Sequence, residues 1–211
     1  MESSRPIYGR ITMLAKIRPE GTPTDLLFVG TSRFQYFVLA YNSETNELDT
    51  RQSFQDVLEK HMRDSQSRDL CLVDPTGKYL VLELFEGVLT CNKILKPRKG
   101  KINPLDEKFD PLRITELKVR ATTFLYTETK QPKIAFLYEI GTGGDVRLAT
   151  YRLVDEKLSW SKFDVNRHRE NEIDQLDEDA SHLIPVPKNP GQKRYIVRNA
   201  QVPKAHLGGV V

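Results

Sequence analysis

The chain has 211 residues, 38% hydrophobic and 29% charged, enough for one all-β domain or two small ones. Lys and Arg number 32 against 29 Asp and Glu, a net charge of +3 that is too balanced to argue for nucleic acid by itself. Met1-Glu-Ser-Ser-Arg-Pro6 lacks the apolar run of a signal peptide, and the apolar runs elsewhere are strand-sized, so no membrane span is expected.

In chain order, Arg10–Ile17 reads as a strand ended by Arg18-Pro-Glu-Gly21. Asp25–Thr31 and Phe34–Tyr41 follow across a hairpin-length link, and a polar fourth strand, Glu47–Phe54, comes after the turn cluster Asn42–Asn46. Asp56–Ser67 is polar, with at most one helical turn over Val57–Met62.

Three strands then fall within Asp69–Leu95, divided by Asp74-Pro-Thr-Gly77 and Glu86-Gly87. Pro presets φ at the second position of the first turn, and Gly takes a positive φ in both. The middle strand, Tyr79–Phe85, is apolar on both faces except for Glu83, so both faces must be covered. Cys71 and Cys91 fall in the flanking strands of this sheet and read as buried thiols of a reducing compartment.

Lys96-Pro-Arg-Lys-Gly-Lys101 is a basic loop, Pro104 and Pro111 bracket an extended segment, and Leu112–Leu117 reads as the outer strand of this unit. The pattern recurs in Val119–Tyr126, Lys133–Ile140, Asp145–Val154 and Lys157–Val165. Gly141-Thr-Gly-Gly144 reads as a hairpin turn, because no helix follows that would make it a phosphate loop. Asn166–Asp179 reads as a solvated acidic loop, and Ser181–Pro187 with Arg194–Val197 begins another round.

First strands thus recur about every 50–60 residues, with four antiparallel strands per period and inner strands apolar on both faces, the signature of a β-propeller. A β-sandwich would alternate apolar and polar residues more cleanly. The fold class is therefore all-β: an incomplete β-propeller of about three and a half four-stranded blades, near 10–54, 69–117, 119–165 and 181–198. One domain is expected over 7–200, with frayed ends at 1–6 and 201–211, as part of a larger ring. An open arc would leave an apolar blade face exposed.

Catalytic, cofactor-binding and metal residues are not expected. His61, His168, His182 and His206 have no metal-ligand spacing, and Cys-x-x-Cys and nucleophile-elbow motifs are lacking. Glu170, Glu172, Asp174, Asp177, Glu178 and Asp179 lack the spacing and glycine of a calcium loop. The sharpest charged feature is Lys93, Lys96, Arg98, Lys99 and Lys101, which reads either as a plain exposed loop or as a nuclear-import or nucleic-acid phosphate contact. Interleaved aromatics are absent there, which argues against single-strand stacking. Phe34, Tyr36, Phe37, Tyr79, Phe85, Phe124, Tyr126, Phe136, Tyr138 and Tyr151 read as blade core.

Several ordered blocks carry a resemblance: Ile7-Tyr-Gly-Arg-Ile-Thr-Met-Leu14, Arg18-Pro19 with Asp25-Leu-Leu-Phe-Val29, Asp74-Pro75 before Phe85-Glu-Gly-Val-Leu89, and Phe124-Leu-Tyr126 with Ala135-Phe-Leu-Tyr138. Over roughly residues 7–200 the chain resembles the first propeller of the superfamily that holds the large subunits of damaged-DNA-binding protein, of the cleavage-and-polyadenylation factor and of splicing factor 3b. The blocks look closest to the damaged-DNA-binding branch. The resemblance implies a seven-bladed first propeller in a three-propeller protein. It also implies a non-catalytic scaffold in the nucleus, with the cytoplasm as a second location, acting as an adaptor of cullin-RING ubiquitin ligases. Its expected partners are the remaining propellers and substrate receptors; the alternative is a nucleic-acid-binding scaffold in mRNA 3′-end processing or splicing. Cofactor, membrane and small-molecule substrate are not implied.

Overall fold

The computed structural model describes residues 9–55, 63–65, 69–97, 103–107, 110–126, 131–142, 144–155, 163–166, 172–185 and 195–199. The first sheet holds β1 (Ile11–Ile17), β2 (Leu26–Thr31), β3 (Gln35–Asn42) and β4 (Glu47–Gln55), in that spatial order. The second holds β5 (Leu70–Val73), β6 (Tyr79–Phe85), β7 (Val88–Lys93) and β8 (Asp110–Arg113). The third holds β9 (Val119–Leu125), β10 (Lys133–Ile140), β11 (Asp145–Asp155) and β12 (Phe163–Asn166), with β13 (Glu172–Leu176) also on β11. A two-stranded sheet pairs β14 (Ala180–Pro185) with β15 (Tyr195–Asn199). Every pairing is antiparallel.

First strands of successive sheets meet, β1 with β5, β5 with β9, and β9 with β14. The sheets therefore turn about a common axis with their first strands innermost, as propeller blades do. Among the described residues the arc does not close into a ring, and no helix is long and apolar enough to cross a membrane.

The turns follow from local chemistry. Gly77 and Gly87 have φ of 69° and 76°. Asp74 holds its turn closed: its carboxylate accepts from the amides of Thr76 at 2.7 Å, Lys78 at 2.7 Å and Tyr79 at 2.6 Å. Aspartate side chains make such turns by accepting from amides a few residues on.

β6 is buried along its whole length. Its odd residues Tyr79 and Val81 join Phe124, Ile134, Phe136, Tyr138 and Tyr151 of the third sheet. Its even residues Leu80, Leu82 and Leu84 join Met13, Ile17, Phe28, Tyr36 and Val38 of the first. β10 repeats the split: Ile134, Phe136 and Tyr138 face the second sheet, while Ala135 and Leu137 face Leu183 and Ala180 of β14. The strand period of two thus sends alternate side chains into different cores.

Three details differ from the sequence reading. The acidic run is not all loop, because β13 pairs with Val146–Ala149 of β11 while β12 covers only Arg152–Asp155. Without β13, half of an eleven-residue strand would lack an edge partner. Leu176 also packs against the cluster of Leu125, Ala135 and Leu148. The outer strand of the second sheet is Asp110–Arg113 rather than Leu112–Leu117, and it accepts Pro111 because it lies at the edge. Tyr126 is exposed, not core. Val57–Met62, the basic residues after Pro97 and the fourth strand before Phe163 lie outside the described residues.

Cys71 and Cys91 share the second sheet but form no disulfide. Cys71 lies opposite Leu82 and Cys91 opposite Val81, adjacent residues that point to opposite faces. Cys91 is buried and Cys71 half-buried, and apolar surroundings push the Cys71 thiol up to about 12, so it stays protonated at neutral pH. Neither cysteine is expected to react with a maleimide until urea unfolds the chain; rapid labelling of native protein would contradict this placement. Leu82→Ala is expected to cost about 2–5 kcal/mol, and Val81→Asp to unfold the chain although it points the other way. Urea titration followed by circular dichroism measures both, and tolerance of either change would mean that one face of β6 is uncovered.

Candidate functional site

Side chains on the sheet faces are used in stacking, so exposed chemistry gathers on the two rims. Antiparallel order puts the links between first and second strands, and between third and fourth, on one rim. The links between second and third strands, and from sheet to sheet, lie on the other.

The first rim is basic where the first two sheets meet. Arg18 Nε donates to Asp25 at 2.5 Å, and Lys16 pairs with the same carboxylate at 3.6 Å. Lys96 crosses between sheets to Glu20 at 2.7 Å. That hydrogen bond, aided by the nearby charges of Lys96 and Lys78, holds the Glu20 carboxyl below its ordinary range. A Cβ on Gly77 would stand 3.5 Å from the Arg18 carbonyl oxygen, so the Asp74 turn brings Lys78 to this junction. Farther out, Gln52 of β4 exchanges two hydrogen bonds with the Leu105 backbone, at 2.9 and 3.0 Å, and fixes the third-to-fourth-strand link of the second sheet against the first.

Of the basic residues singled out in the sequence, Lys96 stands exposed at this junction and Lys93 is half-buried at the end of β7, beside Asp106. Arg98, Lys99 and Lys101 lie outside the described residues. Lys16, Arg18 and Lys78 escaped sequence reading because they come from other strands. Their one signal is position: Arg18 and Lys78 belong to equivalent links of consecutive repeats.

The second rim carries a chain of paired charges. Arg63 pairs with Glu86 at 3.3 Å, and Glu86 accepts the Lys118 amide at 3.0 Å. Lys118, at φ 51°, reaches Glu139 at 3.5 Å and the Gly141 carbonyl at 2.7 Å. Arg120 donates to Glu139 at 2.9 Å and to the carbonyls of Glu178 and Ala180 at 2.6 and 3.1 Å, tying the third sheet to β14. Exposed Leu117 and Ile140 flank this chain.

Two carboxylates sit deep in the stack. Glu83 accepts from Ser65 Oγ at 2.8 Å and from Thr122 Oγ1 across the sheet interface. Glu116 accepts from Tyr151 Oη. Glu83 bridges the second and third sheets, and Glu116 ties the link between them to β11. Among the described residues no group of three or more His, Cys, Asp or Glu side chains is placed to hold a metal ion. His182 is the one histidine described, and it is exposed on β14.

Stacked antiparallel sheets turning about a shared axis, with polar chemistry on the rims, define a β-propeller. Residues 2–211 match the family described as the RSE1/DDB1/CPSF1 first beta-propeller, and the chain belongs to that family. It is 32% identical over 171 residues to DNA damage-binding protein 1 of Schizosaccharomyces pombe, which covers 79% of this chain and 16% of that protein. It is 35% identical over 186 residues to DNA damage-binding protein 1b of Arabidopsis thaliana, covering 86% of this chain and 15% of that protein. DNA damage-binding protein 1 of Solanum lycopersicum is similar at 35% over 184 residues, again 86% of this chain and 15% of that protein. The chain thus spans about one sixth of the length of these relatives.

Arg120, hydrogen-bonded to Glu139, holds that carboxyl below its ordinary range, and Lys118 adds to the effect. A carboxyl depressed in the folded chain contributes its stabilisation above the unfolded value, near about 4.3, and loses it as pH falls through the lower folded value. Acid is therefore expected to loosen the seam between β9 and β14, with faster hydrogen exchange in β14. Glu139→Gln should flatten that pH dependence; an unchanged acid response in this variant would show that Glu139 does not set it.

Proposed function

We propose that this chain acts as a non-catalytic protein-interaction scaffold, the first-propeller part, over 7–200, of a damaged-DNA-binding-type adaptor of a cullin-RING ubiquitin ligase in the nucleus. The carrying observation is 32–35% identity over 79–86% of the chain to proteins named DNA damage-binding protein 1 or 1b. The architecture supports a scaffold role, because stacking occupies the sheet faces and leaves rims for partners. Substrate receptors and further propellers are the partners this reading assigns. Scaffolding in mRNA processing is the weaker reading, since the relatives compared carry the damage-binding name.

Affinity purification of the whole gene product that contains this segment tests the assignment. A cullin and substrate receptors are expected to co-purify from nuclear extract. Recovery of cleavage-and-polyadenylation or splicing subunits in their place would overturn it.

A further inference from the structure

We draw no further inference here: the strongest candidate, the outer face of the first sheet, on which Leu14, Tyr41 and Leu48 stand exposed, carries none, because nothing in the structure shows what covers it.

Discussion

The structure depends on one constraint: β6 has no solvent face. Seven consecutive buried residues, Tyr79–Phe85, can exist only if a sheet lies on each side. The first and third sheets meet that need, and each then has its own second face to cover. β10 passes the requirement on, with Ala135 and Leu137 turned toward β14. A propeller is this condition repeated around an axis. Burying each large aliphatic side chain is worth roughly 1.5–3 kcal/mol, so a sheet held on both faces gains about twice what a half-exposed sheet of the same length does.

Burial on both sides makes polar groups inside the stack costly unless they are satisfied. Glu83 shows how this is managed. It interrupts an apolar strand, yet Ser65 reaches it from the segment leading into the sheet and Thr122 from the neighbouring sheet. Glu116, in the link from the second sheet to the third, is tied to β11 by Tyr151. Apolar contacts alone tolerate small slips between sheets; directional hydrogen bonds do not. These carboxylates therefore fix how the second and third sheets sit on each other. The outer strands meet the opposite difficulty, an unpaired edge, and β4 answers it with charged residues such as Asp49 and Arg51, β8 with Pro111.

Much of this was legible in the sequence because the signals are local. Asp74-Pro-Thr-Gly77 and Glu86-Gly87 mark turns by their own chemistry, and the missing alternation in Tyr79–Phe85 shows two-sided burial. What escaped depends on register or on distant segments. That Cys71 and Cys91 face apart follows from a one-residue offset in their partners on β6, which pattern does not supply. β13 was hidden because Glu172, Asp174, Asp177, Glu178 and Asp179 dominate the composition there, while the demand for a strand comes from the far half of β11. The basic rim was seen only in part, since Arg18 and Lys96 are brought together by stacking and not by spacing.

The same stacking decides where function can change. β6 as a strand answers to two cores, Tyr79 and Val81 to one and Leu80, Leu82 and Leu84 to the other, so each of these positions is held by a core. The rim charges answer to neither. Exposed ion pairs such as Lys96–Glu20 are screened by solvent and contribute little to stability, so their sign and spacing can vary while the arc keeps its shape. Arg120 is the instructive intermediate. Its guanidinium is at the rim, but its bonds to the Glu178 and Ala180 carbonyls place the start of β14. A change at Lys96 should therefore leave the arc in place, whereas a change at Arg120 alters where the next sheet begins. Sheet faces specify the arc, the rims carry the exposed charge, and the Arg120 hub is where the two are coupled.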